Sequence, residues 1–130
     1  MPDYRDADVA AALAMVRAAT LALPDTSERL SHSSPAFFVG SRCFAMFLDD
    51  HHQDGRLAIW CAAPDGVQQE MVETEPDRFF RPPYVGHRGW LGVQLLEVTQ
   101  PELNAILLDA FRLVAPKRLL GRLSPPAGAC

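Results

Sequence analysis

The sequence predicts an α+β fold of two layers, an antiparallel sheet with helices packed on one face, in the order α-β(3)-α-β(2)-α. Three observations predict it. Helical apolar stripes lie near both ends, at residues 6–22 and 99–114. The strand-like runs between them come in groups joined by short connections, not in strict βαβ alternation. With 130 residues, 48% of them hydrophobic, the chain can fill one core. One domain is expected over residues 1–118, with 119–130 a flexible C-terminal tail.

The first helix is expected over Asp6–Ala22. Val9, Leu13, Val16 and Thr20 recur on one stripe, with Ala12 and Ala19 filling it. Asp3 or Asp6 can cap its start, and Pro24 stops it. Residues 23–35, LPDTSERLSHSSP, read as a polar connector. AFFVGSRCFAMFL then reads as two strands about a two-residue turn at Gly40-Ser41, where glycine tolerates positive φ. LDDHHQDG (48–55) is expected as a solvated loop, and RLAIWCAA (56–63) as a third strand, apolar on both faces and therefore central. A short second helix is expected within 64–76, with Val67 and Met71 inward. A short strand at Phe79–Phe80, an irregular crossing, and a strand at 90–98 follow. In the last helix Thr99 and Glu102 have capping-box spacing, Leu103, Ile106, Leu107, Ala110, Phe111 and Val114 form its stripe, and Pro116 ends it.

The formal net charge is −4, with 5 basic against 12 acidic residues in 1–75 and 7 against 4 in 76–130. A mildly basic second half permits a local positive face but weakens a nucleic-acid reading. No apolar run approaches the about 18–20 residues of a membrane-spanning helix. The N-terminus lacks the basic start and apolar core of a secretory signal, so a soluble cytoplasmic protein is expected. The three cysteines form no C-x-x-C: Cys43 and Cys61 read as small buried hydrophobes, and Cys130 ends the tail.

Four segments in order resemble the MmcQ/YjbR family of small bacterial proteins: LALPDTSE, SPAFFVGSRCFAMF, RFFRPPYVGHRGWLGV and LLDAFRLVAPK, spanning about Leu21 to Lys117. There are departures. Arg42 stands where the family commonly has lysine, Ala110-Phe111 where it often has Ser-Tyr, and Trp60-Cys61 where it often has a lysine. The resemblance implies a compact α-β(3)-α-β(2)-α domain. Members have been called DNA-binding because the fold resembles a double wing, an inference from fold alone.

On the residues themselves, FRPPYVGHRGWLGVQL (80–95) supports two readings. The prolines and glycines can stiffen a crossing that Trp90 anchors in the core. Alternatively Arg81, Tyr84, His87, Arg88 and Trp90 form a lip of cations and aromatics that holds phosphates and stacks a base. Arg42 and Arg56 are wing contacts to a duplex or ordinary strand-end charges. Lys117, Arg118 and Arg122 complement the dipole of the last helix or extend the phosphate contacts. The candidate nucleic-acid set is thus Arg42, Arg56, Arg81, His87, Arg88, Lys117 and Arg118, with Tyr84 and Trp90 stacking or structural.

DDHHQD has no structured metal-ligand spacing, the serines near His32 lack a G-x-S-x-G elbow, and no phosphate-cradling glycine loop occurs. No metal, no cofactor and no catalysis are expected. DNA or a protein partner is expected, not a membrane. Two main classes stay open: a DNA-binding protein contacting phosphates through hairpin and loop arginines, and a non-catalytic protein- or small-ligand-binding domain, which net acidity favours. A positive stripe would mark the first and an exposed apolar patch the second; a deep pocket with convergent titratable groups would mark an enzyme.

Overall fold

In the computed structural model, which describes residues 3–123, the chain runs α1 (Asp6–Thr20), β1 (Thr26–Ser31), β2 (Ser34–Val39), β3 (Arg42–Asp49), β4 (Leu57–Cys61), α2 (Val67–Thr74), β5 (Phe79–Phe80), β6 (Leu91–Gln94), α3 (Gln100–Val114) and α4 (Lys117–Leu120). All six strands form one antiparallel sheet in the order β1-β2-β3-β4-β6-β5. The α+β class and the alternation of helix and strand groups hold, with one strand more than expected in the first group. No described helix is long and apolar enough to cross a membrane.

The extra strand is β1, which replaces the polar connector. TSERLS has no apolar alternation, and Leu30, its one large apolar residue, is exposed. The segment becomes a strand because all six of its residues pair with β2 at the sheet edge. Its start is tied down by Thr26, whose Oγ1 lies 2.9 Å from the Thr20 carbonyl and 2.8 Å from the Leu23 carbonyl. Arg17 of α1 grips Glu28 through two N–H···O bonds of 2.7 and 2.8 Å. The β1–β2 turn is His32-Ser33, both at positive φ, a hairpin geometry usually signalled by Asn-Gly.

The remaining departures are local. The α1 start is held by Asp8, whose carboxylate accepts from Arg5 N–H at 2.9 Å, not by Asp3 or Asp6. The 90–98 strand ends at Gln94 and tightens into a 3-10 turn over Leu95–Glu97. Chain beyond residue 118 continues into the core: Leu119 of α4 is 0% exposed. The rest of the expected tail, from residue 124 and including Cys130, lies outside the described residues.

Register assigns the two sheet faces. Phe37, Ala45, Cys61 and Leu91 line up across four strands, as do Phe47, Ile59, Val93 and Phe79. This is the helix face. A bulge beside Phe37 and Phe38 leaves Phe44 unpaired. Phe44 meets Phe111 of α3 edge-to-face at 6.1 Å. Leu103, Leu107, Ala110 and Phe111 are the buried stripe of α3, and burying each large side chain contributes about 1.5–3 kcal/mol. Gln100 reaches from α3 to the Met15 carbonyl of α1 at 3.0 Å. The Thr99 capping box forms as predicted. Cys61 is fully buried, which pushes its thiol up to about 12; burial also raises Cys43, which is half-buried.

The opposite face carries Ala36, Met46, Trp60 and Gly92 side by side. Among the described residues, none of the four helices lines the cavity on this face. At its β5 end, Gly92 leaves room for the Phe80 ring, whose atoms lie 2.5 Å from where a Cβ would stand. Elsewhere the cover consists of two loops, 50–56 and the 81–90 crossing. Gln68 of α2 fixes the crossing by donating to the carbonyls of Gly86 at 2.8 Å and Trp90 at 2.6 Å.

Candidate functional site

A cavity of about 630 Å³ lies between that open face and its two loops. Met46, Leu48 and Trp60 line it from the sheet, His51 and His52 from the 50–56 loop, Tyr84 and Val85 from the crossing, and Ser31, His32 and Ser34 from the β1–β2 hairpin. β4 is apolar on both faces, so Trp60 is driven under the loops while its neighbours Ile59 and Cys61 go to the helix side.

Aromatic rings organise the interior. The His51 ring stands edge-on to Trp60 at 4.9 Å, to His52 at 4.1 Å and to Tyr84 at 6.0 Å. Trp60 is 3% exposed, and its Nε1–H meets no acceptor among the described residues. His51 Nε2 is also buried without a partner. Burial lowers the His51 pKa, and the neighbouring His52 lowers it further, against the opposing pull of Asp54. At the mouth, Tyr84 is 69% exposed and its hydroxyl lies 3.4 Å from His52 Nε2. Both residues hold left-handed backbone, φ 64° at Tyr84 and 50° at His52, as do Asp50 and Gln53. Such conformations cost of order 1–3 kcal/mol each and persist where surroundings enforce them. The DDHHQD segment is largely the solvated loop expected, with Asp49, His52, Gln53 and Asp54 exposed, but its first histidine is half-buried against Trp60. Among the described residues no three His, Cys, Asp or Glu side chains gather to hold a metal.

The cations singled out in the sequence take separate places. Arg42 is exposed, donates to the Val114 carbonyl at 3.3 Å, and shares a cavity of about 270 Å³ with Asp25 and Arg118. Arg118 lies 4.0 Å from the Asp25 carboxylate, and Lys117 is exposed beside it. The Arg56 guanidinium covers Phe80 at 4.0 Å, and Arg88 lies 5.2 Å from the Trp90 ring. The Arg81 stem passes 2.7 Å from the position of a Cβ on Gly86, and His87 is exposed in a 3-10 turn. Trp90 is 5% exposed and Tyr84 stands at the cavity mouth. One further cation joins them: Arg29 of β1 covers Phe38 at 3.8 Å.

Of the predicted site residues, only Tyr84 lines the large cavity. His51, His52 and Trp60 line the cavity but stand outside the predicted set, the histidines being read as part of a solvated loop and Trp60 as part of a central strand. Their signal was a His-His pair directly after an apolar strand, and a tryptophan in a strand with no polar side.

Comparison with known proteins fixes the family. The YjbR family model matches residues 21–113. The chain belongs to the YjbR family. A crystal structure of the Deinococcus radiodurans protein DR2400, of the DUF419 domain family, superposes with a TM-score of 0.68, covering 88% of this chain and 92% of that one at 21% identity. That likeness shows that the YjbR fold seen here is shared. Comparison with curated proteins finds no match.

Proposed function

We propose that this YjbR protein is a non-catalytic binding domain that takes a small organic ligand in the cavity on its open sheet face. One observation carries the reading: a cavity of about 630 Å³ on the open sheet face, walled by Met46, Leu48 and Val85 together with the rings of Trp60, His51 and Tyr84. The apolar walls with few polar groups match the general character of ligand pockets. The histidines alone do not make a reaction site. Among the described residues neither His51 nor His52 hydrogen-bonds a serine or a carboxylate, and an activated nucleophile needs such a link.

The test is NMR of the labelled protein with a fragment set of acids, amides, amines and alcohols. The expected result is a saturable shift of the Trp60 indole N–H, assigned with Trp60→Phe, by one subset of fragments. If no fragment moves that signal, the cavity is not a ligand site.

A second reading, DNA binding, has its own supporting observation. Arg29, Arg56 and Arg88 are each held against an aromatic ring bordering the open face. In that reading Arg42, Arg56, Arg81, His87, Arg88, Lys117 and Arg118 contact phosphates. Fluorescence anisotropy with a random duplex at low and moderate salt decides it: binding that weakens steeply with salt supports phosphate contacts, and no binding at low salt removes the reading.

A further inference from the structure

We propose that the ligand of the open-face cavity is an uncharged, flat aromatic compound of one or two rings, received among the rings of Tyr84, His51 and His52 and the side chains of Met46 and Val85. The inference rests on the small-ligand reading and adds the chemical class of the ligand.

Four observations converge. First, these five side chains line the cavity and keep open surface: Tyr84 and His52 are exposed, and Met46, His51 and Val85 are half-buried. They are the groups an entering molecule touches, whereas Trp60 and Leu48 form a wall that is already buried. Second, three of the five carry rings, and His51 stands edge-on to its neighbours, at 67° to His52 and 88° to Tyr84. A flat ring joins such a cluster edge-on or offset-stacked, the arrangements aromatic pairs prefer. The Met46 thioether adds a polarizable sulfur, whose contacts with a ring edge are favourable. Third, no Asp, Glu, Lys or Arg lines the cavity. A charge carried inside finds no fixed counter-charge and bears the cost of leaving water. The hydroxyls of Ser31 and Ser34, also in the lining, can bond a neutral polar group such as a phenol. Fourth, a volume of about 630 Å³ leaves room for a second ring, since pockets of roughly 300–1,000 Å³ take drug-sized molecules.

The lack of fixed charge gives a pH signature. The titratable groups around His51 are His52 and Asp54 on its own loop and Tyr84 on the crossing; Trp60 faces it from the sheet, and His32 stands elsewhere in the lining. Burial first, then His52, holds the His51 pKa below the usual 6.5, against the pull of Asp54. A neutral ring beside it displaces water and disfavours the imidazolium further. Binding therefore requires neutral His51 and weakens as pH falls through the histidine range. An acidic ligand would show the opposite trend, since its charge favours the imidazolium.

Calorimetric titration of the full chain tests the inference with 2-naphthol. The comparison probes are 2-naphthoate, 2-naphthylmethylammonium and decahydro-2-naphthol, which add a negative charge, add a positive charge or remove the flat rings. 2-Naphthol should bind at least about tenfold tighter than either charged probe. It should bind about two- to tenfold tighter than the saturated alcohol. His51→Phe, which keeps a ring without a titrating group, should flatten the pH dependence. Met46→Trp fills the cavity from its wall and should abolish binding. His52→Asn, which suits the left-handed backbone and removes a ring at an exposed position, should weaken 2-naphthol even if Met46→Trp fails to fold. A charged or saturated probe that binds as tightly as 2-naphthol, and is likewise lost on Met46→Trp, overturns the aromatic inference while leaving the small-ligand reading in place. Fragments that move the Trp60 indole signal while no naphthyl probe binds do the same. If no probe binds and no fragment moves that signal, both fall together.

Discussion

On the helix side of the sheet, Phe37, Phe44, Ile59, Cys61 and Val93 are fully buried, and all are apolar or nearly so. On the open side Trp60 is almost as deeply buried, yet among the described residues its N–H has no partner, and neither has His51 Nε2. The helix side is explained by folding alone: every group there gains from leaving water. The open side is not. Its cover is two loops instead of a helix, four non-glycine residues of those loops hold left-handed backbone, and the space beneath them is open. Where burial serves stability, polar atoms are satisfied or absent; where they are left unmet, another role is indicated.

The sharpest break between the faces should appear in core truncations. Phe111→Ala removes a fully buried ring that packs edge-on against Phe44, and a loss of about 3–5 kcal/mol is expected. Met46→Ala on the open face removes a half-buried side chain that already borders empty space, so the cost should fall below the about 2–5 kcal/mol of a closed core site. Urea denaturation of both variants measures the difference. Equal losses would mean that the loops pack the open face as tightly as the helices pack the other, and the division would fail.

A smaller effect sits at the start of α3 and carries a pH dependence. The Glu102 carboxylate accepts from Thr99 N–H at 2.9 Å and is further held by Arg78. The backbone hydrogen bond first, then Arg78 and the Thr99 hydroxyl, depress its pKa from 4.5 to about 2. A folded-state pKa below the unfolded one adds stability that is complete above the ordinary carboxylate range and is lost as pH falls toward the depressed value. Wild type should therefore exceed Glu102→Gln in stability at neutral pH, and the gap should close between about pH 4.5 and about pH 2. Denaturation of the pair across that window measures it. A gap that stays constant would show that the cap works through geometry and not through charge.

The helix side was also the side the sequence made legible. Thr99 and Glu102 announce the cap, Leu103, Leu107, Ala110 and Phe111 announce the stripe, and Gly40 announces its hairpin, because each uses a local rule. The open side depends on contacts that no local rule encodes. β1 is a strand through pairing with β2, and its turn uses His32-Ser33 in place of the usual residues. The apolar run of β4 marks burial on both faces, but does not tell whether a helix or a loop provides the second cover. His51 looks like any loop histidine until the left-handed residues Asp50 and His52 fold it onto Trp60. The arginines were legible as residue types only; their pairing with Phe38, Phe80 and Trp90 is tertiary.

The smallest stability effect should come with a functional one, at Tyr84. Its left-handed φ of 64° is costly for a tyrosine, and most of its surface is exposed, so little packing repays that cost. Tyr84→Gly relieves the backbone but frees the unfolded chain, a penalty of about 0.4–1 kcal/mol. The two nearly cancel, and the melting temperature should move by no more than about 2–4 °C. The same substitution removes the hydroxyl beside His52 Nε2 and the ring beside His51 at the cavity mouth. Ligand affinity should therefore fall while stability holds, the reverse of Phe111→Ala. A large drop in melting temperature would instead make Tyr84 part of the packing that closes the crossing, and would move the border between the two regions outward to include the mouth.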